Sequence, residues 1–116
     1  MSSVSSPQRG EVWLTDLDPT FGHEQGGSRP VLIVSVDAFN AGLSGLVIIL
    51  PITSRIRPLP LHVAVNPPEG GLRKPSVILC DAIRSVDRRR LIDLWGSVDA
   101  RTMSTVEDRL RRLLGL

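Results

Sequence analysis

Between Arg9 and Val34 the chain reads RGEVWLTDLDPTFGHEQGGSRPVLIV, two apolar runs separated by a polar stretch that carries His23, Glu24, Gln25, Gly26, Gly27 and Arg29. A hairpin link of ~2–5 residues would be enough to reverse the chain. A connection from about Asp18 to Ser28 is longer than turning requires, and it reads as working surface. The side chains there suit acid–base chemistry beside an anion. The Arg29 guanidinium stays charged and can grip two phosphate oxygens at once. The His23 imidazole, with an ordinary pKa near ~6.5, is the better placed proton carrier of the two histidines. Glu24 and Gln25 could hydrogen-bond a ligand, or could fix the loop through its backbone. Gly26 and Gly27 let the main chain turn and approach a ligand closely, and loop freedom alone explains them equally well.

Other residues lend themselves less readily to chemistry. His62 falls in an alternating LHVAV run, which assigns it a structural or rim role. Cys80 lies in an apolar run, where a free cysteine is commonly buried, so a thiol nucleophile paired with either histidine is disfavoured. Two histidines and one cysteine without tight spacing make no zinc site, and the chain carries no phosphate-loop or dinucleotide motif. No metal or cofactor is expected.

The elements that must position these groups are mostly strands. Glu11 to Leu17 alternates Val12, Leu14 and Asp16 against Trp13, Thr15 and Leu17, a half-buried pattern. Pro30 to Val36 is a second strand, Asp37 to Leu43 one or two helical turns capped by Asp37, and Leu46 to Thr53 a central strand. Ser54 to Pro60, SRIRPLP, has two prolines and two arginines, so it is an exposed basic loop. Strands follow at Leu61 to Val65 and Ser76 to Ile83, with a Pro- and Gly-rich loop over Asn66 to Pro75 between them. Ser85 to Arg90 suggests a turn or short helix and Leu91 to Val98 a last strand. A helix capped by Asp99 runs to about Leu114, its Met103, Val106, Leu110 and Leu113 forming one apolar stripe for packing on the sheet.

The 116 residues make one compact domain, since two separate cores would each be marginal at this size. Residues 1–8 form a flexible tail and residues 9–116 the domain. The longest apolar runs, Pro30 to Val36 and Leu46 to Ile52, are far short of the ~20 residues that span a bilayer, so no membrane is expected. MSSVSSPQ has neither the basic start nor the apolar core of a signal peptide, and a single cysteine makes no internal disulfide, so the expected location is the cytoplasm. A net charge of +2 permits nucleic-acid binding without requiring it. Aromatics are only 3% of the residues, which argues against an RNA surface built mainly on stacking platforms.

RGEVWLTDLDPTFGHEQGGSRPVLIV, then LPITS from Leu50 to Ser54, then CDAIRSVD from Cys80 to Asp87, together resemble the MazF/PemK/Kid family of toxins, with matching blocks in order as far as the C-terminal helix. GHEQGGSRP is the specific block. The resemblance is greatest to the Kid and PemK branch, which shares the WLTDLDPT-like strand, the loop histidine and the Cys-Asp pair. It implies a mainly β fold with short helices, an SH3-like β-barrel with a C-terminal helix. It also implies a homodimer, a cognate antitoxin as partner, and metal-independent cleavage of single-stranded RNA, above all mRNA, at short sequences. Such cleavage by the ribose 2′-hydroxyl needs a proton acceptor, cations or donors for the charge on phosphorus, and an acid for the leaving 5′-oxygen. Residue by residue, the resemblance implies a catalytic set of Arg29, Thr53, Asp81 and His23. The RNA-binding set is Glu24, Gln25, Gly26, Gly27, Ser54, Arg55, Arg57 and Arg84.

The chain departs from the Kid-type pattern twice. Leu79 stands where that branch has an arginine two residues before the acidic residue, and Ala82 stands where a glutamine commonly follows it. The first removes a cation and the second a possible base contact. Two other functions fit the same barrel: a gyrase-poisoning toxin of the CcdB type, and a catalytically silent RNA-binding module. The GHEQGGSRP loop with Arg29 and Thr53 favours cleavage, whereas a gyrase poison should need recognition residues near its C-terminal helix.

Overall fold

The computed structural model describes residues 6–18, 21–24 and 26–116. Its centre is β3 (Leu46–Thr53), the longest strand and buried over most of its length. One side of β3 pairs with β2 (Ser28–Ile33), which continues to β1 (Glu11–Asp16) and β7 (Leu91–Ser97). The other side is shared. Leu46 to Ile49 pair with β6 (Arg84–Asp87), while Ile52 and Thr53 pair with β5 (Ser76–Leu79), which continues to β4 (His62–Val65). Pro51, which brings no N–H to a ladder, stands where β3 passes from one partner to the other. The expected mainly β architecture with a C-terminal helix holds. Among the described residues the strand path stays open, with β4 and β7 at its ends, so hydrogen bonding does not close the barrel.

The sheet has a core on each face. One gathers Val12, Leu32, Leu50, Ile52, Ile78 and Cys80 under α2 (Ala100–Leu114) through Val106. The other gathers Leu17, Val31, Ile33, Val47, Ile49 and Val86. Asp99 caps α2 by accepting from Thr102 N at 2.8 Å, which holds its carboxyl below the ordinary range, and Gly115 ends the helix at φ 72°. The apolar stripe stops a turn early, since Leu113 is exposed and Thr102 is buried in its stead. Arg9 ties the chain's entry to this helix: its N donates to Asp37 Oδ1 at 2.7 Å, and its guanidinium reaches the Val34 carbonyl and Glu107 Oε2.

Local departures from the sequence reading have physical causes. The run Ser76 to Ile83 is not one strand. β5 ends at Leu79 and the chain enters a 3-10 turn at Cys80–Ala82, where Cys80 N donates to Leu61 O at 3.1 Å. Ser85 to Asp87, expected as turn or helix, belongs to β6, and only Arg88–Arg90 turn. Asp87 accepts from Arg89 N and from its guanidinium, which holds the carboxyl down at about 2. Asp37 does not cap the single-turn helix α1 (Asp37–Asn40): it is the helix's first residue, the N-cap position falls on Val36, and the Asp37 carboxylate accepts from Arg9 N instead. Simple alternation in β1 also fails. Register shifts against β7 bring Val12, Thr15 and Leu17 to fully buried positions.

Pro7 is buried, and Gln8 N donates to Glu11 Oε1, so these two residues of the expected tail are engaged; residues 1–5 lie outside the described part. A 3-10 turn at Glu69–Gly71 lies inside the 66–75 loop and packs on β7. Gly71 has φ +71°, and a Cβ there would stand 2.2 Å from the Trp95 carbonyl oxygen, so only glycine allows this approach.

Candidate active site

A groove of about 640 Å³ opens where the ends of β2, β3 and β5 meet the 21–29 segment. Arg29 stands at the start of β2, opposite Thr15 of β1, and its Nε donates to Gly26 O at 2.9 Å. Thr53 ends β3, and its hydroxyl accepts from Arg55 N at 3.1 Å, which fixes the entry of the basic loop. The early end of β5 puts Asp81 into the same groove, with its side chain 47% exposed. His23 and Glu24 line the groove too, both exposed. Glu24 also closes its own turn, accepting from Phe21 N at 2.5 Å. All four expected catalytic residues therefore face one cavity.

Of the expected RNA-binding set, Glu24, Arg55, Arg57 and Arg84 line the groove. Ser54 does not; it lines a smaller depression of about 370 Å³ on the far side of Arg29 and Thr53, with Arg73, Lys74 and Trp95. Gly26 and Gly27 also lie off the groove wall and build its rim. Gly27 takes φ +74°, its N donates to Asp18 Oδ1 at 2.9 Å, and its carbonyl accepts from Leu17 N at 3.0 Å. Gln25 is outside the described residues. Leu79 and Ala82, the two departures from the Kid-type pattern, both line the groove, so the lost arginine and glutamine would have faced the ligand.

The groove is strongly cationic. Arg29, Arg55, Arg57 and Arg84 face it against the carboxylates of Glu24 and Asp81. Arg84 Nη1 is buried with no hydrogen-bond partner among the described residues. A guanidinium nitrogen in that condition is costly unless a water, or an anion or carbonyl of a ligand, completes it.

His62 is expected in a structural or rim role and is left out of the expected site. It lines the groove on β4, with its Nε2 3.6 Å from Asp81 Oδ1 and its side chain only 9% exposed. Its place depends on the β4–β5 register, in which His62 pairs with Leu79, and no local pattern signals that. Cys80 is no rival nucleophile. It is fully enclosed, and burial pushes its thiol up to about 11 against the opposing pull of Arg109, so it stays protonated at neutral pH.

A family model described as PemK-like, MazF-like toxin of type II toxin-antitoxin system matches residues 8–114. The chain belongs to that family. It is 39% identical over 111 residues to a Bacillus subtilis (strain 168) protein named Endoribonuclease EndoA, covering 94% of this chain and 95% of that one. Its fold matches a crystal structure of MazF from Deinococcus radiodurans with a TM-score of 0.84 at 35% identity, covering 96% and 98% of the two chains. A mycobacterial endoribonuclease in complex with its cognate antitoxin matches with a TM-score of 0.76 at 28% identity, covering 97% of each. The family expected from GHEQGGSRP, LPITS and CDAIRSVD is thus borne out.

Proposed function

We propose that this toxin, an endoribonuclease, cuts single-stranded RNA through its own side chains, by attack of a ribose 2′-hydroxyl on the adjacent phosphorus. The observation that carries the reading is the convergence of Arg29 and Thr53 with Asp81 and His23 on one cationic groove. As the 2′-oxygen bonds to phosphorus, the P–O5′ bond breaks, leaving a 2′,3′-cyclic phosphate and a 5′-hydroxyl. Arg29 holds the phosphate oxygens as charge builds on them, and the Thr53 hydroxyl donates to the same group. Asp81 and His23 are the proton carriers. Asp81, in the cleft and next to a second imidazole, accepts the 2′-hydroxyl proton, and His23 on the 21–29 segment supplies one to the leaving oxygen. Arg84 and the Arg55–Arg57 loop hold flanking phosphates.

The partners follow the same reading. The substrate is mRNA in the cytoplasm; no described helix is long and apolar enough to cross a membrane. A cognate antitoxin is the protein partner, a reading supported by the antitoxin complex of the mycobacterial relative. The working unit is a homodimer, a reading supported by Ile92 and Leu94, about half exposed on the edge strand β7. Light scattering should give about twice the 12.7 kDa of the chain at micromolar concentration, and a monomer mass counts against the dimer.

The chemistry is tested by incubating the purified protein with a long single-stranded RNA in excess EDTA and mapping the termini. Undiminished cutting with cyclic phosphate and 5′-hydroxyl ends is the expected result. Activity that vanishes in EDTA and returns with added magnesium would overturn the mechanism.

A further inference from the structure

Asp81 and His62 differ in a way that assigns them different work. The carboxylate is half-exposed in the groove, while the imidazole, which also lines it, is only 9% exposed. We infer that His62 is a positioning residue of the cleavage centre: its Nε2–H, directed at Asp81 Oδ1, holds the carboxylate so that its second oxygen is presented to the ribose 2′-hydroxyl. The inference rests on the reading of Asp81 as proton acceptor.

The location of the imidazole proton follows from the surroundings. A neutral imidazole has one N–H. On Nδ1 it would be a buried donor with no acceptor among the described residues, and the Nε2 lone pair would then face a carboxylate. On Nε2 it points to Asp81 Oδ1 and leaves only a lone pair unpaired, so the second tautomer is favoured. The 3.6 Å separation is longer than a formed hydrogen bond, as is common for catalytic contacts before substrate binds.

The backbone fixes this pairing tightly. His62 pairs with Leu79 across the β4–β5 ladder, His62 N donates to Leu59 O at 3.1 Å, and Cys80 N donates to Leu61 O at 3.1 Å. Of the two residues before Asp81, Leu79 is therefore in register with His62 and Cys80 is bonded to the residue preceding it. Fully buried Ile78 and Cys80 anchor that corner, so the imidazole is a rigid stop against which the exposed carboxylate is set.

The test compares His62→Gln with His62→Asn. Glutamine can place its amide nitrogen where Nε2 stands, whereas asparagine reaches only the Nδ1 position, and both put one amide in the same site. His62→Asn should lower kcat by about 10- to 100-fold with KM changed less than about 2-fold, since a misplaced base is felt in the chemical step. His62→Gln should recover to within about 5-fold of the parent enzyme. In an Asp81→Asn background, His62→Asn should add less than about 2-fold, because residues acting as one unit are non-additive. Thermal melts check that each variant is folded.

Equal activities of the Gln and Asn variants, or a full His62→Asn loss on top of Asp81→Asn, would overturn the inference while leaving Asp81 its role. Full activity of Asp81→Asn alone would overturn the acceptor reading and this inference with it.

Discussion

The two walls of the groove are built in different ways. One is the segment between β1 and β2, where His23 and Glu24 stand exposed and the bonds are local: Phe21 N to Glu24, Gly27 N to Asp18 Oδ1, Leu17 N to Gly27 O. The Arg90 guanidinium, donating to the carbonyls of Asp16 and Asp18, props that segment from β7's side. The other wall is made of strand ends. Thr53 follows fully buried Ile52, and Asp81 follows fully buried Cys80. On the proposed mechanism, Thr53 and Asp81 meet the reacting phosphate from the wall rooted in the core, while the loop wall brings His23 as the proton donor beside Glu24, a group that can choose among bases. Arg29 belongs to the seam, starting β2 while its side chain holds Gly26 of the loop.

If that division is right, the seam is the most sensitive position. Arg29→Ala should cost on the order of 10²–10³ in cleavage rate, typical of a lost electrostatic donor, while the folded protein and its melting stay close to the parent. Near-normal cutting by a well-folded variant would take Arg29 out of the transition state. On the strand wall, Thr53→Val should lose about 10-fold, because it removes one neutral donor and keeps the shape. A change in KM alone would mean that Thr53 binds RNA uniformly and does not help the chemical step.

The basic loop should affect binding more than chemistry. Each phosphate neutralised on a single strand contributes about 0.7 to the log–log salt slope, so Arg55→Ala with Arg57→Ala should flatten the slope by about 1.4 for every RNA tried. An unchanged slope would make 54–60 a solvated loop. The smallest effect in rate, and the sharpest test of the comparison, is expected on the loop wall. Changes at Glu24 and Gln25 should redistribute the cut sites, read by sequencing product ends, with total cleavage altered by less than about 5-fold. A uniform loss with the same cut sites would give Glu24 and Gln25 a part in catalysis instead of in base choice.

Legibility in the sequence follows the same division. β3 over Leu46–Thr53 and α2 through Leu114 were readable to the residue, because one is a β-branched run and the other has a capping aspartate and a helical stripe. Ser76 to Ile83 misled because VILCDAI remains mostly apolar through the bend, and periodicity does not register a 3-10 turn. β6 hid behind its charges, since RSVD has too few apolar residues to announce a strand that β3 pairs and buries at Val86. Arg29, Thr53 and Asp81 are far apart in the chain, and only the resemblance brought them together before the fold did. His62 escaped because its meaning lies in register: a histidine in an alternating strand looks the same whether its neighbour across the ladder leads to a carboxylate or to solvent.

The contact of Gly71 with the Trp95 carbonyl bears on how such a toxin can change over generations. Any other side chain at Gly71 would strike backbone 2.2 Å away, and the positive φ rules out relief by rotation, so that position is closed to drift. Ala82, by contrast, is partly open on the groove wall and not packed in either core. On the proposed reading of the groove, a lineage carrying this chain can therefore revise which RNA it attacks by single steps there, while the joint that holds β7 to the 66–75 loop admits no such experiment.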